Sequence, residues 1–464
     1  MPGESYDVVL LGGGTGGYAA AFRGAQLGLK VAVVEKDKVG GTCLHRGCIP
    51  TKALLKSGSV ARLMRDGAQY GVTATGIEID YSKAIERSGR IVEQNYKGLQ
   101  FLFRKHKIDI YEGVGRLKDN RTVIVTKADG STEEVKGNAI IIDTGSRPRA
   151  IPGIEFDGKR VINSDHSTWS PDLPKRVIIR GGGATGVEFA TIYRDFGCEV
   201  TLVGRVVPNE DREVSQQLTR SFTKAGIKII PDYRPTAEDF NITEGGVELR
   251  VKRDGKEERI EADTLLVAIG RQGNIEDIGL EELGIKTKDS YIVTDDFGFT
   301  GVDGVYAIGD VIGKQLLAHT AMHQGIIVME LLAGKKPMPL DLKKVPSVTF
   351  CHPEIGSVGL TEEEAKAEGR TIKVGKFPLR ANGKALIEDE VDGFAKVIAD
   401  AETDEILGVH LIGGHATELI GEAALASLLE ATPWEIGLSV HPHPTISEVL
   451  GEAALAVDGM AIHI

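Results

Sequence analysis

The sequence predicts an α/β fold with two similar parallel-sheet domains and a C-terminal α+β domain. Two stretches about 170 residues apart, YDVVLLGGGTGGYAAAFRGAQLGLKVAVVEK and RVIIRGGGATGVEFATIYRDFGCEVTLVGR, both run from an apolar strand through a glycine-rich turn to a helix and a second strand. After Pro346 the pattern changes to strands and helices without such a turn, which predicts the α+β part. A chain of 464 residues has room for about three domains.

The first of these stretches predicts a Rossmann-like dinucleotide-binding fold. An apolar strand over 7–11 leads into the pattern G-x-G-x-x-G, formed by Gly12, Gly14 and Gly17. These glycines permit the tight turn, the approach of a pyrophosphate and close packing of the helix that the spacing predicts over 18–27. The helix N-terminus offers free N–H groups to phosphate. Glu35, at the end of the second strand and 23 residues after Gly12, is placed to bind a ribose diol.

The second stretch repeats the pattern with one difference. Its glycines are Gly181, Gly183 and Gly186, so the chain carries two dinucleotide folds, which suggests two cofactors whose reactive rings meet. Where an acidic residue should end the second strand, the sequence has Gly204 followed by Arg205. A ribose 2′-hydroxyl prefers a carboxylate and a 2′-phosphate prefers Arg, so this difference hints at NADP.

Two of the four cysteines, Cys43 and Cys48, lie close together just after the first dinucleotide unit. A zinc site usually needs a second cysteine pair, and Cys198 and Cys351 are isolated, so we predict no metal site and expect these two to be buried packing residues. A redox-active disulfide beside a flavin explains the position of the pair better, because it can shuttle two electrons to an external dithiol or disulfide. Lys52 would place a positive charge near that flavin and favour thiolate.

Composition excludes other classes of function. The net charge of −12 argues against nucleic acid as the main partner, and no apolar run approaches the ~18 residues of a membrane span. The start MPGESYDVVLLGGG has no basic region ahead of an apolar one, so we expect no signal or transit peptide and a cytoplasmic location. A mature organelle protein would have the same appearance.

Short motifs follow one order along essentially the whole chain: GGGTGG, GGTCLHRGCIPTK, DTGSRPR, GGGATGVEFA, VAIGRQGN, YAIGD, LLAHTA, HPEIGSVGLTEEEA and HPHPTISE. In this order they resemble the FAD-dependent pyridine nucleotide–disulfide reductases, and among these the dihydrolipoamide dehydrogenases. The resemblance implies two Rossmann-like domains, for FAD and for NAD, and a C-terminal dimerisation domain. The implied boundaries are 1–150 with 275–345 for FAD, 151–274 for NAD(P) and 346–464 for the interface.

The resemblance assigns cofactor contacts to residues of the matching motifs. It implies that the first glycine loop and Glu35 hold the adenosine and pyrophosphate of FAD, and that Asp310 bonds the ribityl chain. Further residues implied to line the FAD site are Thr42, Lys52, Gly113, Thr144, Gly145, Ser146, Gly309, Ala318 and His319. Residues implied to hold the nicotinamide dinucleotide are Gly181, Gly183, Gly186 and Gly270. Glu188 is implied to pair with Lys52 near the flavin N5.

The resemblance also implies a catalytic cycle. His443 of HPHPTISE, contributed by the partner subunit of a homodimer, would deprotonate dihydrolipoamide, and Glu448 would orient its ring. The thiolate would attack the disulfide at Cys43, and Cys48 would leave as a thiolate facing the flavin. Electrons would then pass through FAD to NAD. The implied partners are lipoyl domains and the acyltransferase core of 2-oxo acid dehydrogenase complexes.

The sequence departs from the family at positions that leave alternatives open. Asp143 stands where an alanine usually precedes Thr-Gly, and an unpaired buried carboxylate is costly, so we expect it to be paired or hydrated. Arg180 replaces a small or apolar residue, and the family's Glu for the NAD ribose is absent before Arg205, in a loop about three residues short. NAD is the default cofactor and NADP is possible. The alternative function is an NADPH-dependent reductase of another low-molecular-weight disulfide, and a different class is a scaffold subunit.

Overall fold

The structure, a computed structural model, describes residues 5–253 and 256–464. The chain forms two compact units. The first contains the N-terminal segment through Ala53, then Ser82–Arg149 and Gly270–Leu340. The second contains Leu54–Tyr81, Ala150–Ile269 and Asp341–Ile464. Each unit is therefore assembled from segments that are far apart in the sequence.

The N-terminal part of the chain forms a mixed sheet with strand order β3-β2-β1-β6-β5-β4. Strands β1, β2, β3 and β6 run parallel, and β4, β5 and β6 form an antiparallel meander. Here the elements are β1 Ser5–Leu11, α1 Thr15–Gln26, β2 Val31–Glu35, α2 Gly41–His45, α3 Cys48–Asp66, α4 Tyr81–Lys105, β3 Asp109–Glu112, β4 Val114–Asp119, β5 Thr122–Thr126, β6 Thr132–Ile142 and β7 Ser146–Pro148.

The next part of the chain forms a parallel sheet with strand order β11-β10-β9-β15-β8, followed by an antiparallel sheet β12-β13-β14. Its elements are β8 Val161–Ile162, α5 Ser164–Ser167, β9 Arg176–Arg180, α6 Ala184–Asp195, β10 Glu199–Val203, α7 Arg212–Lys224, β11 Lys228–Ile230, β12 Phe240–Thr243, β13 Gly246–Arg253, β14 Lys256–Ala262 and β15 Thr264–Val267.

The chain then returns to the first unit. One strand of this segment joins the first sheet in parallel beside β6, and another pairs with β7. The elements are β16 Arg271–Gly273, β17 Thr287–Lys288, β18 Tyr291–Ile292, β19 Val305–Ala307 and α8 Ala318–Leu332. Helix α8 packs against α1 so closely that a Cβ on Gly325 would lie 2.7 Å from the carbonyl oxygen of Gly16.

The C-terminal part forms an antiparallel sheet with strand order β20-β21-β24-β23-β22, covered by helices. Strands β23 and β24 are buried along their whole lengths. The elements are β20 Ser347–Thr349, β21 Glu354–Gly359, α9 Glu362–Ala367, β22 Ile372–Pro378, α10 Gly383–Glu388, β23 Phe394–Asp400, β24 Ile406–Gly413, α11 Ala416–Leu428, α12 Pro433–Leu438 and α13 Glu448–Ala456.

The strand patterns explain why these sheets form the core. Strands β1 and β2 and the end of β6 over 139–142 are rich in Val, Ile and Leu, and they are buried on both faces, as strands covered on each side require. The parallel sheets and the C-terminal α+β part confirm the predicted fold class. Cys198 and Cys351 are both buried, as expected. Within the described ranges, none of the helices carries an apolar run long enough to cross a bilayer.

Candidate functional site

The first glycine loop joins β1 to α1 in a conformation that only glycine fits. Gly12 has φ +115°, and a Cβ there would lie 2.1 Å from the carbonyl oxygen of Asp143. A Cβ on Gly17 would lie 2.2 Å from the carbonyl oxygen of Gly12, so the helix can start beneath the loop only without a side chain at this position. Among the residues described, no side chain caps the helix at Gly14. The N–H of Gly17 donates to the Asp143 carboxyl, so the N–H groups of Thr15 and Gly16, at the very start of α1, are the ones available for an anion such as a pyrophosphate.

Glu35 ends β2 directly beside this loop. The N–H of Gly13 donates to its Oε2 at 2.8 Å, and the N–H of Asp37 donates to its Oε1 at 2.9 Å. Burial raises the pKa of Glu35, and the hydrogen bond from Gly13 partly opposes this. Gly113, with φ +153°, donates its N–H to the backbone carbonyl of Glu35 at 2.9 Å. Carboxylate oxygens retain further lone pairs for a ribose diol, so this geometry fits an adenosine.

Asp143 lies underneath the glycine loop and is fully buried. The N–H of Gly17 donates to its Oδ2 at 2.6 Å, while a Cβ on Gly309 would lie 2.6 Å from its Oδ1. Burial raises the pKa of the Asp143 carboxyl well above its ordinary value; the hydrogen bond from Gly17 opposes this, and the charges of Asp310 and Glu35 add to it. The carboxyl thus accepts a hydrogen bond from Gly17 but has no cation partner among the described residues, and it lies between two segments predicted to hold FAD.

The loop after β6 is held by residues that the sequence analysis did not assign. The hydroxyl of Thr144 donates to the carbonyl of Asn274 at 2.7 Å, and the side-chain amide of Asn274 donates back to the carbonyl of Thr144 at 2.8 Å. The N–H of Asn274 donates to the carbonyl of Gly145 at 3.0 Å, where the chain turns with φ +70°. Asn274 is the last residue of the quoted motif VAIGRQGN, and this was the available signal for its role.

Asp310 joins a polar cluster in the same unit. It accepts a short hydrogen bond from the hydroxyl of Ser146, and Arg271 approaches it at 3.7 Å. Arg271 also donates from Nε to the Ser146 hydroxyl at 2.7 Å and from Nη2 to the Ser146 carbonyl at 2.9 Å. The N–H of Gly309 donates to the side chain of Gln324 at 2.8 Å, within the helix α8 that begins at Ala318 and His319. Arg271 and Gln324 were not predicted, although Arg271 directly follows the predicted residue Gly270 in the motif VAIGRQGN, which was the available signal for it.

The cysteine pair lies on two successive helices, the first of which begins directly at the glycine loop. The N–H of Gly40 donates to the carbonyl of Gly13 at 2.7 Å, and a Cβ on Gly41 would lie 2.8 Å from Cα of Gly14. Cys43 is in the short helix α2, next to Thr42, and Cys48 is the first residue of α3. The structure therefore places the predicted redox pair against the predicted FAD loop.

Both cysteines carry free thiols in this structure. A side-chain hydrogen bond with Cys48 raises the pKa of the Cys43 thiol; burial raises it further, and the positive charge of Lys52 lowers it. Tyr18 of α1 is close enough for both cysteines to affect it: burial, together with these two sulfurs, raises its pKa to about 12. The pair is thus a compact dithiol in a largely dry environment, with one cation acting on it.

The second glycine loop repeats the geometry of the first. Gly181 has φ +114°, and a Cβ there would lie 2.2 Å from the carbonyl oxygen of Ala268. A Cβ on Gly186 would lie 1.8 Å from the carbonyl oxygen of Gly181. Helix α6 begins at Gly183, again without a side-chain cap among the described residues. The loop is therefore a second anion-binding helix N-terminus at the carboxyl edge of a parallel sheet.

Other predicted residues of this site are distributed differently. Gly270, with φ +116°, belongs to the first unit, so its contribution to the nicotinamide site stays a prediction. Glu188, buried in α6, accepts the N–H of Phe350 at 3.0 Å. Lys52 lies in the first unit and Glu188 in the second, so their pairing also stays a prediction. Arg205 is exposed and forms an ion pair with Asp232 at 3.0 Å.

The segment before α13 contains a histidine–carboxylate pair. Nδ1 of His443 lies 2.8 Å from Oε1 of Glu448, and the N–H of Thr445 donates to Oε2 of the same carboxylate at 2.9 Å. Burial opposes the charged form of Glu448, but these two hydrogen bonds lower its pKa overall. His443 is 77 % exposed, so its ring is accessible from solvent. Nearby, His441 and Glu422 form a second such pair at 2.9 Å, to which the sequence analysis gave no role.

Comparison with known proteins supports the predicted class. The family model described as pyridine nucleotide-disulphide oxidoreductase matches residues 6–325, and the dimerisation domain of the same family matches residues 345–454. A dihydrolipoyl dehydrogenase from Bacillus subtilis is 48% identical, with 99% of each chain covered. One from Zymomonas mobilis is 41% identical, also over 99% of each chain.

A solved structure shows the same fold. LpdA from Mycobacterium tuberculosis matches with a TM-score of 0.89 and 27% identity, covering 96% of this chain and 98% of that one. The matched dimerisation domain supports a homodimer. The predicted class of function, a flavoprotein disulfide oxidoreductase with FAD and NAD as cofactors, is confirmed. The chain therefore belongs to the pyridine nucleotide-disulphide oxidoreductase family, among relatives that are dihydrolipoyl dehydrogenases.

Proposed function

We propose that the chain is an enzyme that oxidises the dihydrolipoyl groups of 2-oxo acid dehydrogenase complexes and reduces NAD. The observation that carries this proposal is the position of the dithiol Cys43–Cys48. The helix that carries Cys43 begins at a glycine loop fitted for a dinucleotide, through the hydrogen bond from Gly40 to Gly13, and Cys48 begins the next helix. A dithiol at that place can exchange electrons with a bound flavin on one side and with an external dithiol on the other.

The first step is thiol–disulfide exchange at the oxidised cysteine pair. His443 of the partner subunit takes the proton of one substrate thiol, and the thiolate attacks Sγ of Cys43. A mixed disulfide forms, the bond between the two cysteine sulfurs breaks, and Cys48 leaves as a thiolate. The second substrate thiol then displaces Cys43, so the substrate becomes a cyclic disulfide and the cysteine pair a dithiol. FAD and NAD, when bound, supply the onward transfer of the electron pair.

Local electrostatics suit the leaving role of Cys48. Its sulfur stands on the first residue of α3, where the helix dipole favours a thiolate. Lys52, one turn further along α3, adds positive charge close to the pair. Cys43, on the short preceding helix, receives a backbone hydrogen bond from Cys48 that lowers the pKa of its thiol, but the hydrogen bond with the Cys48 side chain and burial raise that pKa overall. We therefore assign interchange with substrate to Cys43 and the flavin-facing role to Cys48.

The histidine–carboxylate pair suits a general base. An ionised carboxylate only accepts hydrogen bonds, so Glu448 requires that Nδ1 of His443 carries the proton. Nε2 is then the free acceptor for a substrate proton, and Glu448 also stabilises the imidazolium that results. Lys52 and Glu188 are proposed to pair near the flavin, and the glycine, threonine and serine residues named for FAD are proposed to bind it.

The remaining assignments follow from this function. We propose three domains with the boundaries given above, a homodimer formed through the C-terminal part, and docking on the lipoyl domains and acyltransferase core of the complexes. Several large apolar side chains are exposed in the C-terminal part, which supports a subunit contact there: Leu425, Leu428, Leu429, Trp434, Leu438 and Val440. The bacterial relatives support a cytoplasmic location.

A cysteine exchange tests the function. Cys48→Ser should abolish oxidation of dihydrolipoamide by NAD while the protein keeps its yellow flavin and oxidises NADH with an artificial acceptor. Cys198→Ser, at a buried cysteine on the other unit, is the matched control and should retain lipoamide turnover. Retained lipoamide turnover in Cys48→Ser would refute the proposed role. Turnover of glutathione disulfide with NADPH, in place of lipoamide, would favour the alternative reductase.

A further inference from the structure

Three arginines lie at or beyond the ends of adjacent parallel strands next to the second glycine loop. Arg180 is the last residue of β9, Arg205 is two residues after the end of β10, and Arg234 is four residues after the end of β11. Because these strands are parallel neighbours, their carboxyl ends meet at one edge of the sheet. In open α/β sheets this edge is where ligands bind. From the sequence, only Arg205 was expected to contact a cofactor phosphate.

The structure distinguishes the three arginines by their partners. Arg205 is exposed and already neutralised by its ion pair with Asp232. Arg180 is partly buried, and its Nε has no hydrogen-bond partner among the described residues. Within residues 5–253 and 256–464, no carboxylate forms an ion pair with Arg180. Burial, and then repulsion from Arg234, lower the pKa of its guanidinium. A desolvated guanidinium with unused donors is costly unless an anion satisfies it.

Arg180 lies beside the position after β10 where the selective carboxylate of an NAD site would stand. Its Nη1 would be 3.7 Å from a Cβ on Gly204, the residue that follows β10. Gly204 is buried with φ +124°, so an acidic side chain at this position would be strained. Position 204, where a carboxylate would bind a ribose 2′-hydroxyl, therefore has no carboxylate, and the guanidinium of Arg180 lies beside it. Such an arrangement favours a 2′-phosphate, which an arginine binds through two parallel hydrogen bonds.

We propose that Arg180, with Arg234 beside it, forms a binding site for the 2′-phosphate of NADP, so that the enzyme accepts NADP as well as NAD. This inference rests on the proposed function, because it takes the second glycine loop as the nicotinamide dinucleotide site. The proposed phosphate contact is Arg180 and not Arg205, because Arg205 already forms an ion pair with Asp232 while Nε of Arg180 has no hydrogen-bond partner among the described residues. It also accounts for the arginine at the end of β9, where the sequence analysis expected a small or apolar residue.

The test measures binding of NAD and NADP to the oxidised holoenzyme by calorimetry, because these ligands differ only by the 2′-phosphate. Arg180→Met removes the charge and keeps an apolar side chain that packs in a half-buried position. We expect this variant to lose about 10- to 100-fold in affinity for NADP, the range for hydrogen bonds to a charged group, with affinity for NAD almost unchanged. Arg259→Met, on an exposed arginine of β14, changes the net charge equally and should leave both affinities as they are.

The outcomes distinguish a failure of the 2′-phosphate site from a failure of the proposed nicotinamide dinucleotide site. Wild-type protein that binds NAD but not NADP would overturn the phosphate site and leave the proposed function intact. An equal loss of both affinities in Arg180→Met would also overturn it, since it would assign Arg180 a structural role. If a holoenzyme that retains FAD binds neither nucleotide, the proposed nicotinamide site is wrong and the inference falls with it.

Discussion

Replacing Asp143 by asparagine removes one ionisable group from beneath the first glycine loop and keeps an oxygen acceptor for the N–H of Gly17. In the wild type, burial raises the pKa of this carboxyl, only partly opposed by the hydrogen bond from Gly17. A group whose pKa is raised by folding binds more protons in the native than in the unfolded state. Stability of the wild type therefore falls as the pH rises from the unfolded pKa to the native pKa.

The sign and the size of the effect follow from this difference in protonation. Below the ordinary carboxyl pKa the group is neutral in both states, and Asp143→Asn should resemble the wild type. Above it, we expect the variant to become progressively more stable than the wild type, by up to about 1.4 kcal/mol per pH unit, the value of one bound proton. The gain should level off once the pH exceeds the native pKa.

Urea titrations of the holoenzyme at a series of pH values, followed by release of the flavin, measure this difference through the shift of the midpoint. Asp157→Asn is a control of opposite sign. Burial raises the pKa of Asp157, but N–H groups of Val161, Lys159 and Arg160 lower it overall, so its contribution is present near neutrality and lost in acid. A stability difference between Asp143→Asn and wild type that does not vary with pH would refute the reasoning.

Three further substitutions test other parts of the structure. Gly12→Ala should prevent retention of FAD, measured as loss of the yellow flavin absorbance, because the added Cβ would overlap the carbonyl oxygen of Asp143. Gly28→Ala is the control and should retain FAD, because Gly28 also has a positive φ but an added Cβ there would meet open space. Lys396→Met should lower the free energy of unfolding by about 3–5 kcal/mol, because the side chain is fully buried among carboxylates that would lose their cation. Glu448→Gln should lower lipoamide turnover about 100-fold or more, because it no longer fixes the ring of His443; unchanged turnover would contradict the assigned pair.

The local sequence pattern correctly predicted the strand and the helix on either side of the first glycine loop, but it placed the start of the helix too late. The strand predicted over 7–11 is β1, Ser5–Leu11, and the helix predicted over 18–27 is α1, Thr15–Gln26. The helix begins earlier than its apolar spacing indicates, because two glycines belong to it. Glycine has a low intrinsic helix propensity, so these positions give no helical signal, but the close approach to the loop requires glycine at position 17, where a Cβ would lie 2.2 Å from the carbonyl oxygen of Gly12.

The motif residues of the candidate site could be predicted, but their supporting partners could not. Asn274 holds the loop at Thr144 from 130 residues away, and Gln324 holds Gly309 from another helix. These contacts depend on the tertiary fold and leave no local periodicity in the sequence. Arg180 was singled out as unusual, yet its position beside Gly204 follows from the register between β9 and β10, which a sequence pattern does not specify.

The discontinuity of the first unit has a consequence for biosynthesis. The glycine loop near the N-terminus, the carboxyl of Asp143 and the strand β19 all belong to one sheet region, yet β19 lies at Val305–Ala307. During translation the first sheet is completed only after this strand, and Asp310 just after it, have been synthesised. A chain truncated before β19 would therefore lack part of the predicted flavin site, and it would expose an unpaired stretch of β6 that invites association with other nascent chains.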